Sequence, residues 1–266
     1  MIHPKEINKH AATHKVSDRQ IEKDYVLTWL LYGISNHAIL SKTLVFKGGT
    51  VIKKCYIENY RFSEDLDFTL MDESMQHETF KEMLNEVFAW VKEEANITIQ
   101  HKADDIHGDS GGSQFYIDYI GPLGGNIGSR DLKIDITRNE KMEFESVKKK
   151  VYVTYTDLPE DSFLLECYSL SEVLIEKMAA LMGRTEPRDL YDFWYLVENE
   201  GMKVKEHNIE FRNKAEHKGH NPDQFSEKVL KKELIFRKDW INKLQNQIHD
   251  LPKFEDIFRK AKRHLK

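Results

Sequence analysis

Two aspartates, Asp65 and Asp67, stand two residues apart in Phe62-Ser63-Glu64-Asp65-Leu66-Asp67-Phe68. In a β-strand that spacing puts both carboxylates on one face, with Cα atoms about 6.6 Å apart, and turns Leu66 and Phe68 to the other. Carboxylates so placed suit divalent cations and, with them, the phosphates of a nucleotide. A third acid, Asp135, lies in Leu132-Lys133-Ile134-Asp135-Ile136-Thr137, whose alternation is that of a half-buried strand. Three acids on adjacent strands repel one another unless cations neutralise them, so the trio is read as a metal site. Upstream, Leu44-Val45-Phe46 reads as a buried strand, and Gly48-Gly49-Thr50 lets the chain turn into a helix near Val51. Free N–H groups at such a helix start suit a phosphate. A lone Gly-Gly is usually a turn, and a lone Asp-x-Asp a solvated strand face. The order strand, Gly-Gly-Thr, helix, Asp-x-Asp strand is what makes the signal specific.

These residues resemble the nucleotidyltransferase superfamily typified by DNA polymerase β and kanamycin nucleotidyltransferase. Within it, Phe46-Lys47-Gly48-Gly49-Thr50 and Arg61-Phe62-Ser63-Glu64-Asp65-Leu66-Asp67-Phe68 are similar to the AbiEii/AbiGii-type toxin family. So are Glu22-Lys23-Asp24-Tyr25, Glu176-Lys177-Met178-Ala179-Ala180 and Arg188-Asp189-Leu190-Tyr191-Asp192, and the resemblance covers roughly residues 16–200. It implies transfer of a nucleoside monophosphate from a nucleoside triphosphate (NTP) to an acceptor hydroxyl. Asp65 and Asp67 would bind Mg²⁺, and Asp135 would complete a second Mg²⁺ site. Gly48, Gly49, Thr50 and Ser63 would position the phosphates. Lys177 and Arg184 would contact the nucleotide, and Lys177 with Asp192, or Asp189 as second choice, would be catalytic. The acceptor implied is RNA, a tRNA 3′ end, and the partner a cognate antitoxin.

The elements that must position these groups follow from periodicity. The expected fold class is α/β, or α+β: a small mixed sheet with flanking helices, over residues 1–165, then a helical lobe over residues 166–266. Residues 1–15 carry little pattern. A helix capped by Ser17 or Asp18 runs through Tyr25, Val26, Trp29, Leu30 and Ile34. Its Glu22, Lys23 and Asp24 suit structural ion pairs, although the resemblance keeps Lys23 and Asp24 near the site. Residues 72–92 read as an amphipathic helix, and residues 97–101, 114–120, 132–137 and 151–156 as strands. The polar segment 102–113, ending Gly108-Asp109-Ser110-Gly111-Gly112-Ser113, reads as a mobile hairpin connection, and Lys148-Lys149-Lys150 as a solvated lead-in. From Ser169 the pattern is helical, with Pro187 opening a second helix and Phe225, Leu230, Leu234, Ile235, Trp240, Ile241, Leu244, Ile248 and Phe258 as apolar anchors.

A chain of 266 residues with 40% hydrophobic and 32% charged residues can bury a sizeable core. Nothing in it reads as a membrane span or signal peptide, so no membrane partner and a cytoplasmic location are expected. Cys55 and Cys167 read as reduced core thiols, and the histidines lack zinc-ligand spacing. Residues 201–266 carry 17 Lys and Arg against 10 Asp and Glu, whereas residues 1–200 carry 23 against 35. A basic tail suits a polyanionic acceptor, and amphipathic helices with solvated lysines are the plain alternative. Three other functions stay open on these residues: a nucleotidyltransferase for a small antibiotic-type molecule, a non-catalytic nucleotide-binding interaction module, and a plain protein-binding partner.

Overall fold

The computed structural model describes residues 1–106, 112–159 and 163–265. The chain forms two compact units, one of residues 1–140 and 146–167, the other of residues 141–145 and 168–266. Among the described residues the first holds seven strands: β1 (Leu44–Lys47), β2 (Asp65–Leu70), β3 (Thr98–Ile106), β4 (Ser113–Ile120), β5 (Asp131–Thr137), β6 (Val147–Lys150) and β7 (Leu164–Cys167). They form one mixed sheet in the order β3-β4-β5-β2-β1-β7-β6, with β2 at its centre, antiparallel to β1 and parallel to β5.

Alternation decides what each face does. Leu66 and Phe68 of β2, Ile134 and Ile136 of β5, and Phe115 and Ile117 of β4 are all buried. The helix His77–Ala95 lays its apolar stripe of Phe80, Leu84, Val87 and Val91 into this core, Phe80 meeting Phe115 with ring centroids 5.4 Å apart. The helix Asp18–Asn36, capped by the Ser17 side chain on the Gln20 N–H, is buried almost all round. At its Gly33 a Cβ would stand 2.8 Å from Val87, so the two helices meet where one has no side chain. Burial on every face requires that its polar groups be satisfied within the protein. Glu22 accepts from the Leu123 N–H and pairs with Arg130 at 2.6 Å, and Asp24 pairs with Lys54 at 2.7 Å. Glu22 and Asp24 are therefore structural ion-pair members, as their place in the helix implies.

Several elements differ from the sequence reading. A helix, Pro4–His14, occupies the patternless start; it buries only Ile7 and Ala11, too few apolar positions to form a stripe. The lysine run is itself strand β6, and residues 151–154 are not strand. Val151 N–H and Tyr152 N–H instead make single bonds to the carbonyls of Phe163 and Lys54. Strand β7 pairs with β1 at Phe46 and Cys167, and its four residues are too few to show a period. Residues 107–111 of the expected hairpin connection lie outside the described residues; β3 and β4 on either side pair antiparallel, with a bulge between His101 and Ala103. Cys55 and Cys167 are both buried and free, with sulfur atoms 3.6 Å apart.

The second unit is helical. Ser169 caps Leu170–Gly183, Pro187 opens Pro187–Glu198, and Asn208–His217, Phe225–Lys231, Glu233–Leu244 and Phe254–Ala261 follow. Phe225, Trp240, Leu244 and Phe258 are buried as expected, but Leu234 is 78% and Ile241 61% exposed, and Leu230 and Ile235 are exposed too. Leu234 and Ile241 stand seven apart, two turns, and so share the outward side of Glu233–Leu244 rather than its core side. No described helix is long and apolar enough to cross a membrane.

At the centre of this unit Glu172 and Lys214, both fully buried, pair at 2.7 Å. The second Glu172 oxygen accepts from the N–H groups of Glu143 and Phe144, and Lys214 donates to the Lys141 carbonyl, which ties residues 141–145 into the helices. Removing one partner leaves a buried charge uncompensated, at a cost of about 3–5 kcal/mol. Glu172→Ala is therefore expected to lower the denaturant midpoint steeply, and Glu172→Ala/Lys214→Met to recover part of the loss. A Glu172→Ala protein as stable as the parent would contradict this role.

Candidate active site

The chain leaves β1 at Lys47 and turns at Gly48, whose φ of +79° lies in the left-handed region. A Cβ there would fall 2.1 Å from Asp67 Oδ2 and 2.8 Å from Asp67 Cγ. Glycine is thus required twice over, by the backbone and by the Asp67 side chain that fills the space a Cβ would take. The helix begins at once, over Gly48–Val51, rather than near Val51, and continues as a π-turn over Ile52–Tyr56. Thr50 is buried and its hydroxyl lies 2.6 Å from both the Asp65 carbonyl and the Ser63 hydroxyl. Both hydroxyls therefore fix the start of β2 to this helix, a positional job next to the aspartates.

Strand register assembles the acidic face. Asp67 is directly opposite Lys47 of β1 on one side and Asp135 of β5 on the other, and Asp65 is opposite Lys133. Residues opposite one another in adjacent strands share a face, so the structure brings together all three aspartates that the sequence singled out. It adds groups that the motif reading did not name as site residues. Lys133 Nζ lies 3.5 Å from Asp135 Oδ2 and 4.0 Å from Asp65 Oδ2. Gln114 donates to Asp135 Oδ2 at 3.0 Å and is itself held by the Tyr116 hydroxyl at 2.9 Å. Lys47, 5% exposed, donates to the Thr137 hydroxyl at 2.9 Å and stands 3.5 Å from Glu140. The signal for Lys133 was present, since it stands two before Asp135 in an alternating strand; Lys47 and Gln114 needed the register.

Among the described residues, no three His, Cys, Asp or Glu side chains are gathered tightly enough as they stand to cage a cation. The Lys133 ammonium instead lies between Asp65 and Asp135. The donor set is nonetheless one of carboxylate oxygens on a single, partly exposed sheet face, the chemistry that hard divalent cations take. The chemistry of these residues fits a divalent cation.

The other sequence candidates form a compact cluster in the helical unit. Lys177 Nζ is 2.8 Å from Asp189 Oδ1 and 2.8 Å from Asp192 Oδ2, with all three side chains buried. Arg184, with its side chain 61% exposed, meets Asp189 Oδ2 at 2.7 Å and Oδ1 at 3.1 Å. Lys177 thus touches both aspartates between which the sequence left the choice open. Burial works against the Asp189 carboxylate, but the Lys177 ammonium and the Arg184 guanidinium outweigh it and hold its pKa well below the usual range. Among the basic residues of the tail, Lys232 donates to the carbonyls of Leu181, Met182 and Arg184 and so caps the helix Leu170–Gly183. Lys231 pairs with Glu227, and Lys243 lies 4.0 Å from Glu186.

Two outcomes follow. Gly48→Ala is expected to lower the melting temperature, since the left-handed backbone alone costs about 1 kcal/mol or more and the Asp67 side chain must also move. Combining it with Asp67→Ala should recover part of the loss in a double-mutant cycle; strict additivity would show that the two do not collide. The second concerns acid. Because the Asp189 pKa is lowered on folding, its contribution to stability is present above the ordinary aspartate pKa. It is lost as pH falls through the lowered one. Asp189→Asn should therefore flatten the acid limb of the pH–stability profile, and an unchanged slope below about pH 4 would contradict the pairing.

A family model described as "Nucleotidyl transferase AbiEii toxin, Type IV TA system" matches residues 29–260. No curated protein matches the chain significantly. Among solved structures, the chain is similar to MenT4, a nucleotidyltransferase toxin from Mycobacterium tuberculosis H37Rv, with a TM-score of 0.62 and 16% identity over 100% of this chain and 90% of that one. It is also similar to JHP933 from Helicobacter pylori, with a TM-score of 0.56 and 17% identity over 94% of this chain and 91% of that one. At such identities the likeness is one of fold. The family match, which takes in both the Asp65–Asp67 strand and the helical cluster, goes further: the chain belongs to the AbiEii family, the nucleotidyltransferase toxins of type IV toxin–antitoxin systems.

Proposed function

We propose that the chain transfers a nucleoside monophosphate from an NTP to the 3′ end of an RNA, a tRNA in the first instance, and that a cognate antitoxin restrains it in the cytoplasm. The observation that carries this reading is the register that sets Asp67 beside Asp135, with Asp65 on the same face and Gly48 against Asp67. Asp65 and Asp67 would hold one Mg²⁺ and Asp135 would complete a second site. Bound there, such ions neutralise triphosphate charge and lower the pKa of an attacking hydroxyl.

The chain's own groups have separate tasks. Gly48 leaves room for Asp67, while Thr50 and Ser63 fix the strand start that carries Asp65. The N–H groups of Gly48 and Gly49 are the proposed phosphate donors. Lys133 and Gln114 hold the carboxylates against mutual repulsion before substrate arrives. In the reaction the acceptor oxygen forms a bond to the α-phosphorus as the bond to the bridging oxygen breaks, and pyrophosphate leaves in line. For Lys177, Arg184 and Asp192, with Asp189 as the alternative aspartate, the proposed roles remain those the family resemblance implies.

For the acceptor, the excess of 17 basic over 10 acidic residues in 201–266 supports RNA held by its backbone. Since Lys232 caps a helix and Lys231 is ion-paired, Lys228 and Lys238 are the positions to reverse.

The test is incubation of the protein with each labelled triphosphate, Mg²⁺ and total RNA. Label is expected in RNA, with the signal abolished by a chelator and reduced about a hundredfold or more in Asp67→Asn. Lys228→Glu/Lys238→Glu should weaken RNA binding and flatten its salt slope by about two. Full activity in Asp67→Asn would sink the assignment, and label confined to small molecules would move the acceptor to the antibiotic class.

A further inference from the structure

A cavity of about 310 Å³ opens in the first unit between the helix Pro4–His14, the π-turn that follows Val51, Phe62 and the segment 152–155. That is the lower end of the size range of small-molecule sites, about 300–1,000 Å³. None of Gly48, Gly49, Thr50, Ser63, Asp65, Asp67 or Asp135 lines it.

Its charge is lopsided. Lys54 is spoken for: Nζ lies 2.7 Å from Asp24 Oδ2 and 2.8 Å from the Thr28 hydroxyl, and the Tyr155 hydroxyl donates to the same Asp24 oxygen. Lys53 is different. It is 7% exposed, yet among the described residues its ammonium donates only to two carbonyls, Glu58 at 3.2 Å and Tyr60 at 3.4 Å, and lies 4.2 Å from the centre of the Phe62 ring. Neither carbonyl carries a net charge, and an ammonium has three N–H groups to give. Lys9, His10 and His14 add further basic groups to the wall, with Glu58 as the one carboxylate besides Asp24. The crowding is felt: burial draws the Lys53 pKa down to about 8 against the pull of Asp24, and burial, Lys53 and His10 together lower that of His14.

We infer that this cavity is a second anion site, taking a phosphate monoester at Lys53 and His14 with the esterified group against Phe62 and Tyr152. A dianion is what a buried ammonium beside imidazoles lacks, since it would set a full opposite charge where Lys53 now meets only neutral carbonyls at 3.2 and 3.4 Å, and would relieve the repulsion among the bases. The aromatic wall and a volume beyond that of bare phosphate favour an ester over the free ion. The same chemistry is offered by a free mononucleotide and by the 5′-phosphate of an RNA. The inference does not rest on the transfer reaction.

The experiment is calorimetric titration of the full chain, in EDTA so that metal-dependent nucleotide binding is silent, with AMP, inorganic phosphate and adenosine, and with an oligoribonucleotide bearing a 5′-phosphate or a 5′-hydroxyl. AMP and phosphate should bind and adenosine should not. Lys53→Met and His14→Gln should each weaken AMP about tenfold or more, a loss of about 1.4 kcal/mol. Lys53→Arg should retain binding, and Asp67→Asn should leave it unchanged. Tighter binding of the 5′-phosphorylated oligonucleotide than of AMP assigns the site to an RNA end; equal or weaker binding assigns it to the mononucleotide. If Lys53→Met does not fold, His14→Gln carries the test. Adenosine binding as well as AMP, AMP binding no tighter than about 10 mM, or loss in Asp67→Asn with none in the pocket variants would overturn the site.

Discussion

The register of β2 between β1 and β5 is the constraint on which the acidic face depends. A slip of one residue would turn Asp65 and Asp67 into the core and Leu66 and Phe68 to the polar face, so hydrophobic burial and site geometry are specified by the same pairing. The central place of β2 in the sheet protects that pairing on both sides. Gly48 then couples the turn after β1 to the side chain on β2, because the turn closes only where Asp67 leaves it no room for a Cβ. Backbone geometry thus sets the three aspartates on one face, and Lys133 and Gln114 then reach the side chains of Asp65 and Asp135.

Buried charge recurs through both units, and most of it is matched. Asp24 with Lys54, Glu22 with Arg130, Glu172 with Lys214, and Lys177 with Asp189 and Asp192 are ion pairs in which at least one partner is almost wholly removed from water. Pairs of this kind add little to net stability over an apolar replacement, but breaking one is expensive, so they penalise every arrangement in which the partners are apart. Lys53 departs from the pattern, being nearly as buried as its neighbour Lys54 yet bonded, among the described residues, to carbonyls alone. That contrast, rather than the mere presence of lysines, sets its cavity apart.

How much was legible in the sequence depended on distance along the chain. Asp65 and Asp67 were placed on one face because strand periodicity is local, and the capped helices at Ser17 and Ser169 were readable for the same reason. That Asp135 lies opposite Asp67 depends on which strands become neighbours, and no local pattern encodes that. Lys47, Gln114 and the collision of Gly48 with Asp67 are likewise products of pairing. The short strand β7 and the sparse helix Pro4–His14 carry too few periodic positions to register. Leu234 and Ile241 misled in the opposite sense: apolar residues two turns apart imply a buried stripe, but here it is Phe236, Trp240 and Leu244 of the same helix that face inward.

The two margins of the sheet, β6 and β3, carry unlike chemistry with one effect. Strand β6 offers Lys148, Lys149 and Lys150 in succession, and β3 bulges at His101 and Ala103 before Asp104 and Asp105. A row of lysines resists a further strand by charge, and a bulge resists it by breaking the line of N–H and carbonyl groups. Both margins thus carry features that oppose pairing with another chain's backbone. Such margins favour recognition of this unit through side chains on its helices and loops over recognition through extended main chain.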